Sequence, residues 1–205
     1  DGSRKVDYPP GALQHLNTEM PWSQMLKHPI VQNAIDKEVQ GMFENGTVQY
    51  TIVPRGTKLL SQVPGHKVKH QINKDTTKIR VSANGKQEVA DVDFDPMNIS
   101  ARVATKDAGR VLFSLCATEG METAMVDADA AFQQADPGKR LTADERVFLR
   151  QLRGLELRDS QGRRIVGRNG DIVALVLLKE IYGRHCAAKS WQEFSVPKLI
   201  MAVDL

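Results

Sequence analysis

After Pro29 the apolar residues Ile30, Val31, Ala34, Ile35, Val39, Met42 and Phe43 recur at helical spacing, with Gln32, Asn33, Asp36, Lys37 and Glu38 on the outer face. This predicts an amphipathic helix opened by Pro29 and closed at Asn45-Gly46, where glycine supplies a left-handed terminus. From Thr47 to Val53 the period shortens to two, which predicts a strand stopped by Pro54. Short alternating runs at 58–60, 67–69 and 78–82 follow, separated by Pro64-Gly65, Lys74-Asp75 and Asn84-Gly85. They predict a small twisted antiparallel sheet, since such turn residues between short runs are hairpin signals.

The second half alternates in the same way. Residues 100–118 predict a helix whose stripe is Ala108, Val111, Leu112, Leu115 and Cys116, ended by Gly120. Thr123-Ala124-Met125-Val126 suits a buried strand, residues 146–149 a further strand, and 172–179 a fully apolar one. Residues 158–170, rich in Arg, Asp, Ser and Gly, predict a flexible hairpin or insertion. Ile181-Tyr182-Gly183 predicts a turn, and Ala187 to about Met201 a helix with a break at Pro197. Residues 1–21, with Pro9-Pro10-Gly11, read as an extended leader. The expected class is α+β.

Composition narrows the setting. The hydrophobic share of 41% is that of a globular protein, and the longest apolar run, from Ile172 to Leu178, is too short to cross a bilayer. No membrane partner is expected. Cys116 and Cys186 show no metal-ligand spacing, which points to an intracellular setting, cytoplasm or nucleus. The chain opens on Asp1 without a signal peptide, and we expect a piece of a longer chain. The net charge of +3 is unevenly placed, with Arg140, Arg146, Arg150, Arg153, Arg158, Arg163, Arg164, Arg168 and Arg184 crowded into one region. Such a run is either a polyanion-binding surface or a solvated face.

The stretch around Asp127 carries the chemistry. A carboxylate at a strand's carboxyl end, with Asp129 two residues on, either holds a hard divalent cation through oxygen or caps the next helix. In the predicted sheet, alternation puts Lys67 and Lys69 on one face, and Lys78 and Arg80 on one face, as phosphate contacts or as protection of a sheet edge. Asp91, Asp93 and Asp95 match a calcium loop only weakly. His66 and His70 read as surface residues.

From about Trp22 to about Phe194 the landmarks, in order, resemble the N-terminal part of the reverse transcriptase domain of copia-type long-terminal-repeat retrotransposons. They are Ala34-Ile-Asp-Lys-Glu38 with Asn45-Gly-Thr47, Pro54-Arg-Gly-Thr-Lys58 with Lys67 and Lys69, and Lys78-Ile-Arg-Val81 with Gly85 and Gln87. Then come Arg110-Val-Leu112 with Ala117 and Gly120, Val126-Asp-Ala-Asp-Ala-Ala-Phe132, Arg146-Val-Phe-Leu-Arg-Gln151 with Gly154, and Leu178-Lys-Glu-Ile-Tyr-Gly183 with Ala187 and Trp191. The resemblance implies right-hand polymerase fingers over 22–105 and an incomplete palm over 106–205, in small antiparallel sheets packed with helices. It implies two-magnesium nucleotidyl transfer in the intact domain. Asp127 would be the first catalytic aspartate and a metal ligand, with the Ala128 carbonyl beside it. Phe132 would lie under the nucleotide sugar. Lys78 and Arg80 would lie near the incoming triphosphate, which of them makes the contact being open. Lys67, Lys69, Arg150 and Arg153 would meet nucleic acid. Template-primer, deoxynucleotide and the remaining polyprotein domains are the implied partners.

The departures bear on activity. The sequence contains no Tyr-x-Asp-Asp, Cys186 replaces a glutamine that the family often places after Tyr-Gly, and Pro64-Gly65 stands where the fingers commonly carry Trp-Val. One carboxylate does not hold two metals, so this chain is expected not to polymerise by itself. The alternative is a non-catalytic nucleic-acid-binding or structural relic of a retroelement.

Overall fold

The computed structural model describes residues 21–70, 75–101, 103–123, 127–135 and 146–203. Its elements are α1 (Trp22–Met25), α2 (Pro29–Glu44), β1 (Val48–Val53), β2 (Gln62–His70), β3 (Asp75–Ala83), α3 (Lys106–Thr118), α4 (Ala131–Gln134), β4 (Phe148–Leu149), β5 (Ile172–Leu177) and α5 (Ala187–Val203). The class is α+β, with two small antiparallel sheets, β1-β5-β4 and β2-β3, packed with helices. No helix among the described residues is long and apolar enough to cross a membrane.

β5 is the central strand of its sheet, and Val173 through Leu177 are all buried. A strand buried on both faces reads as a continuous apolar run, which is why its alternation vanished from the sequence. It pairs with β1 in the register Val48↔Leu177 to Val53↔Ile172, so the chain's two halves share one sheet. Val31, Ile35 and Met42 from α2 join Val81 and Ala83 from β3, Leu149 from β4, Leu175 and Leu177 from β5, and Ile181 in one core.

The end of α2 follows the sequence closely. Gly46 takes φ 62°, its N–H donates to the Phe43 carbonyl at 2.9 Å, and the Thr47 N–H donates to Met42 at 2.8 Å. These paired bonds close the helix in a Schellman turn and hand the chain to β1. The Thr47 carbonyl then accepts the N–H of Leu178 at 2.8 Å, which fixes where β5 leaves its sheet.

Several elements differ from expectation. Pro64-Gly65 is not a turn: both residues lie inside β2, with Pro64 opposite Val81 and Gly65 opposite Arg80. Val81 donates its N–H away from β2, to Glu38 Oε1 at 3.3 Å, so the proline opposite it removes no ladder bond. α5 runs through Pro197 without a break, since one proline deletes one ladder bond and leaves the rest of a 17-residue helix in place. The stripe of α3 is not core. Val111, Leu112 and Leu115 are 49–68% exposed, because periodicity records which face can be buried and not what covers it. In the acidic stretch 88–95, read as a loop with only a weak calcium-loop match, Asp93 pairs with Lys58 and Asp95 accepts the Met97 N–H at 2.9 Å. His66 is half-buried, with Nε2 2.6 Å from Thr77 Oγ1. Residues 1–20 of the expected leader, and 124–126 of the expected Asp127 strand, lie outside the described residues.

Candidate functional site

The β2-β3 hairpin sets the first group. Partners across the ladder share a face, so Lys67 and Lys78, directly opposite one another, present their charges on the same side, and Arg80 lies two residues from Lys78 on that face. All three are exposed, while Val68, Ile79 and Val81 fill the core side. Lys69 pairs with Thr76 in the same register. Like charges directly opposite repel, so this face concentrates positive charge on the surface.

The turn after β5 supplies the second group. Ala83 donates its N–H to the Tyr182 carbonyl at 2.8 Å, and Gly183 takes φ 91° against β3. A Cβ on Gly183 would stand 2.1 Å from the Ala83 carbonyl oxygen, and one on Gly85 would stand 2.2 Å from the Gly183 oxygen. Only two glycines permit this approach. The result is that the Tyr182 ring lies beside Arg80, whose guanidinium carbon is 5.1 Å from the ring centroid.

The Asp127 segment supplies the third. Ala130 is left-handed, φ 49° and ψ 40°, and turns the chain into α4. There buried Gln133 accepts from Asn45 Nδ2 at 3.1 Å, and the Ala135 carbonyl accepts the Glu180 N–H at 3.1 Å. So anchored, Phe132 meets Tyr182 edge-on at 4.6 Å and 63°. Arg80 and Phe132, from separate sequence landmarks, converge on one ring. Asp127, Ala128 and Asp129 precede this anchor and are exposed.

Magnesium chemistry needs several oxygen ligands in one place. The Asp127 carboxylate and Ala128 carbonyl are donors of the right kind, but among the described residues no group of three His, Cys, Asp or Glu side chains converges. The described residues therefore do not make up a two-metal site.

Glu38 belongs to this neighbourhood. Burial pushes its carboxyl above the ordinary glutamate value, against the opposing pull of the Val81 N–H, Lys78 and Arg80, while Asp129 adds to the rise. The periodicity reading placed Glu38 outside, yet it falls on the stripe Val31, Ile35, Met42, and that spacing was the available signal.

Behind Tyr182 lies a buried polar network that the sequence reading also missed. Arg184 donates from Nε to Glu88 Oε1 at 2.9 Å and from Nη1 to Glu180 Oε1 at 3.0 Å. The His185 N–H donates to Glu88 Oε2 at 2.9 Å, its ring Nδ1 is 2.9 Å from the same oxygen, and the ring stacks on Phe94 at 4.2 Å. Cys186 donates to Glu180 Oε1 at 3.4 Å. Burial, opposed by Arg184 and aided by Glu180, pushes its thiol up to about 12, which makes it inert as a nucleophile at neutral pH. The i, i+4 spacing of Glu180 and Arg184 was legible; nothing local announces Glu88.

Arg150 and Arg153 lie elsewhere, on a cleft beside β5. Comparison with known proteins found no matching family model, no matching curated protein and no matching solved structure.

Proposed function

We propose that this chain is the fingers and partial palm of an RNA-directed DNA polymerase of the copia-type retrotransposon class, binding nucleic acid through its basic hairpin face without polymerising by itself. The observation that carries the reading is the meeting of Arg80 and Phe132 on Tyr182. The resemblance places Lys78 and Arg80 near a triphosphate, which of them makes the contact being open, and Phe132 under a sugar, two parts of one nucleotide, and gives Tyr182 no role.

In this reading the chain's own residues bind and orient. Lys67, Lys78 and Arg80 offer charge-assisted donors to phosphate oxygens, Tyr182 holds the Arg80 side chain over its face, and Phe132 forms an apolar floor for a sugar. Magnesium bound in an intact domain would activate a primer hydroxyl and neutralise pyrophosphate. With the Asp127 carboxylate and no Tyr-x-Asp-Asp, the described residues offer no set of ligands for that step.

A recessed template-primer duplex titrated by fluorescence anisotropy tests the reading. Binding should weaken linearly in log-log form with salt, by a slope of about 0.7–0.9 per phosphate contact, and Lys78→Gln should reduce the slope by about one contact. Asp127→Ala should leave binding intact, and primer extension with magnesium should yield no product. Undetectable binding at low salt sinks the proposal and favours a purely structural role.

A further inference from the structure

Beside β5 the surface opens into a cleft of about 660 Å³, within the range of small-molecule sites. Arg150, Arg153 and Arg164 line it, together with Leu59, Ile165 and Ile172. Its shape is built rather than incidental. Buried Gln151 donates from Nε2 to the Val173 carbonyl at 2.8 Å and accepts the Leu157 N–H on Oε1 at 2.8 Å, a strut between β5 and the segment leading into the 158–164 hairpin. That hairpin is closed by the Arg158↔Arg164 bridge and by Asp159, which accepts the N–H groups of Gln161 and Arg163 at 2.9 Å.

Several neighbouring arginines are already engaged, whereas those that line this cleft are not. Arg158 donates to the Gly162 carbonyl, Arg163 pairs with Asp159, and Arg184 is spent on Glu88 and Glu180. The guanidinium groups of Arg150, Arg153 and Arg164 make no hydrogen bond or ion pair to any described residue. Two carboxylates also line the cleft, Glu156 and Asp171. Glu156 Oε2 already accepts the Gly154 N–H at 2.9 Å. Burial pushes the Glu156 carboxyl up, but its own and the Gly154 N–H, with Arg164 and Arg158, outweigh that and hold it below the usual range. Three cations thus face one carboxylate bound to backbone and one further carboxylate, over an aliphatic floor on which Ile165 and Val166 are 39% and 69% exposed.

We propose that this cleft is a binding site for a phosphomonoester on an organic body of nucleotide size, presented either as the 5′-phosphate end of a nucleic-acid strand or as a free nucleoside monophosphate. Guanidinium forks match phosphate oxygens, and an aliphatic wall beside them takes the sugar or base. A duplex lies along a groove through many phosphates, whereas an open cleft of this volume has room for about one nucleotide. The choice of a nucleic-acid ligand rests on the polymerase reading above; the anion-binding chemistry does not.

The test uses the wild-type chain and two single-stranded oligonucleotides labelled at the 3′ end, identical except for a 5′-phosphate or 5′-hydroxyl. The phosphorylated strand should bind about tenfold more tightly, a difference of about 1.4 kcal/mol. Adenosine monophosphate should abolish that difference and adenosine should not. If the monophosphate competes but the oligonucleotides do not differ, the free nucleotide is the ligand and the cleft assignment stands. Arg150→Gln with Arg153→Gln and Arg164→Gln should lose the discrimination, while Lys106→Gln with Arg110→Gln and Arg168→Gln, which removes equal charge away from the cleft and its hairpin, should keep it. Should the first triple variant unfold, protection of Arg153 from phenylglyoxal by adenosine monophosphate in the wild-type chain replaces it. No preference and no competition, or equal loss in both triple variants, overturns the proposal. Template-primer affinity of Lys78→Gln/Arg80→Gln read in parallel separates the two ideas, since the hairpin face can fail while the 5′-phosphate preference survives.

Discussion

Glu88 and Arg184 are joined by a 2.9 Å hydrogen bond, with side chains 0% and 3% exposed, although 96 residues separate them. The bond ties the turn after β3 to the turn after β5, the turn that carries Tyr182. A buried charge without its partner is costly, so the network is an all-or-none strut.

Arg184→Met should therefore lower stability by about 3–5 kcal/mol, because it leaves Glu88 and Glu180 buried without their guanidinium, with only His185 beside Glu88 and Cys186 and Ser190 beside Glu180. Glu88→Gln should cost less, since Arg184 keeps Glu180 and glutamine still accepts through one oxygen. Urea denaturation of both variants checks the order; equal or reversed costs would mean that Glu180 does not share the arginine.

Gly183→Ala should destabilise by about 3 kcal/mol or more, combining a left-handed backbone with a Cβ 2.1 Å from the Ala83 oxygen. Gly46→Ala, also left-handed but with open space around it, should cost only the backbone strain, about 1 kcal/mol. The comparison of thermal midpoints isolates the clash from the conformation.

Glu38 makes stability depend on pH with a definite sign. Its folded carboxyl titrates above the ordinary value of 4.5, chiefly through burial, so the folded chain binds a proton that the unfolded chain has released. That contribution is complete below about pH 4 and is lost as pH rises through the raised folded value. Relative to Glu38→Gln, the wild-type melting temperature should fall between pH 4 and 7. A rising or flat difference would place Lys78 and Arg80 closer in effect than burial.

The uncovered stripe of α3 should drive association. Leu112→Gln with Val111→Lys is expected to leave the melting temperature within about 1 °C, since exposed sites are usually worth less than 0.5 kcal/mol. The same pair should reduce self-association in sedimentation velocity. A loss of more than about 2 kcal/mol would instead mean that α3 is packed in solution.

Much of this was legible along the chain. The helix from Pro29, its glycine stop, the strand after Thr47, the apolar run of β5 and the turn at Gly183 are each set by periodicity or by one residue's backbone freedom, and such signals act over a few positions. The fate of Pro64 was not, because a proline ends a strand or sits harmlessly in it according to which way the opposite N–H points. Nor was the placement of Glu38 on β3, of Glu88 on Arg184, or of Phe132 and Arg80 on Tyr182. The sequence by itself determined which elements form and which residues carry charge, since local sterics and spacing decide those. Tertiary structure alone decided which charges are buried, which arginines remain unpaired and which apolar face stays open, because each of those depends on partners brought from distant parts of the chain.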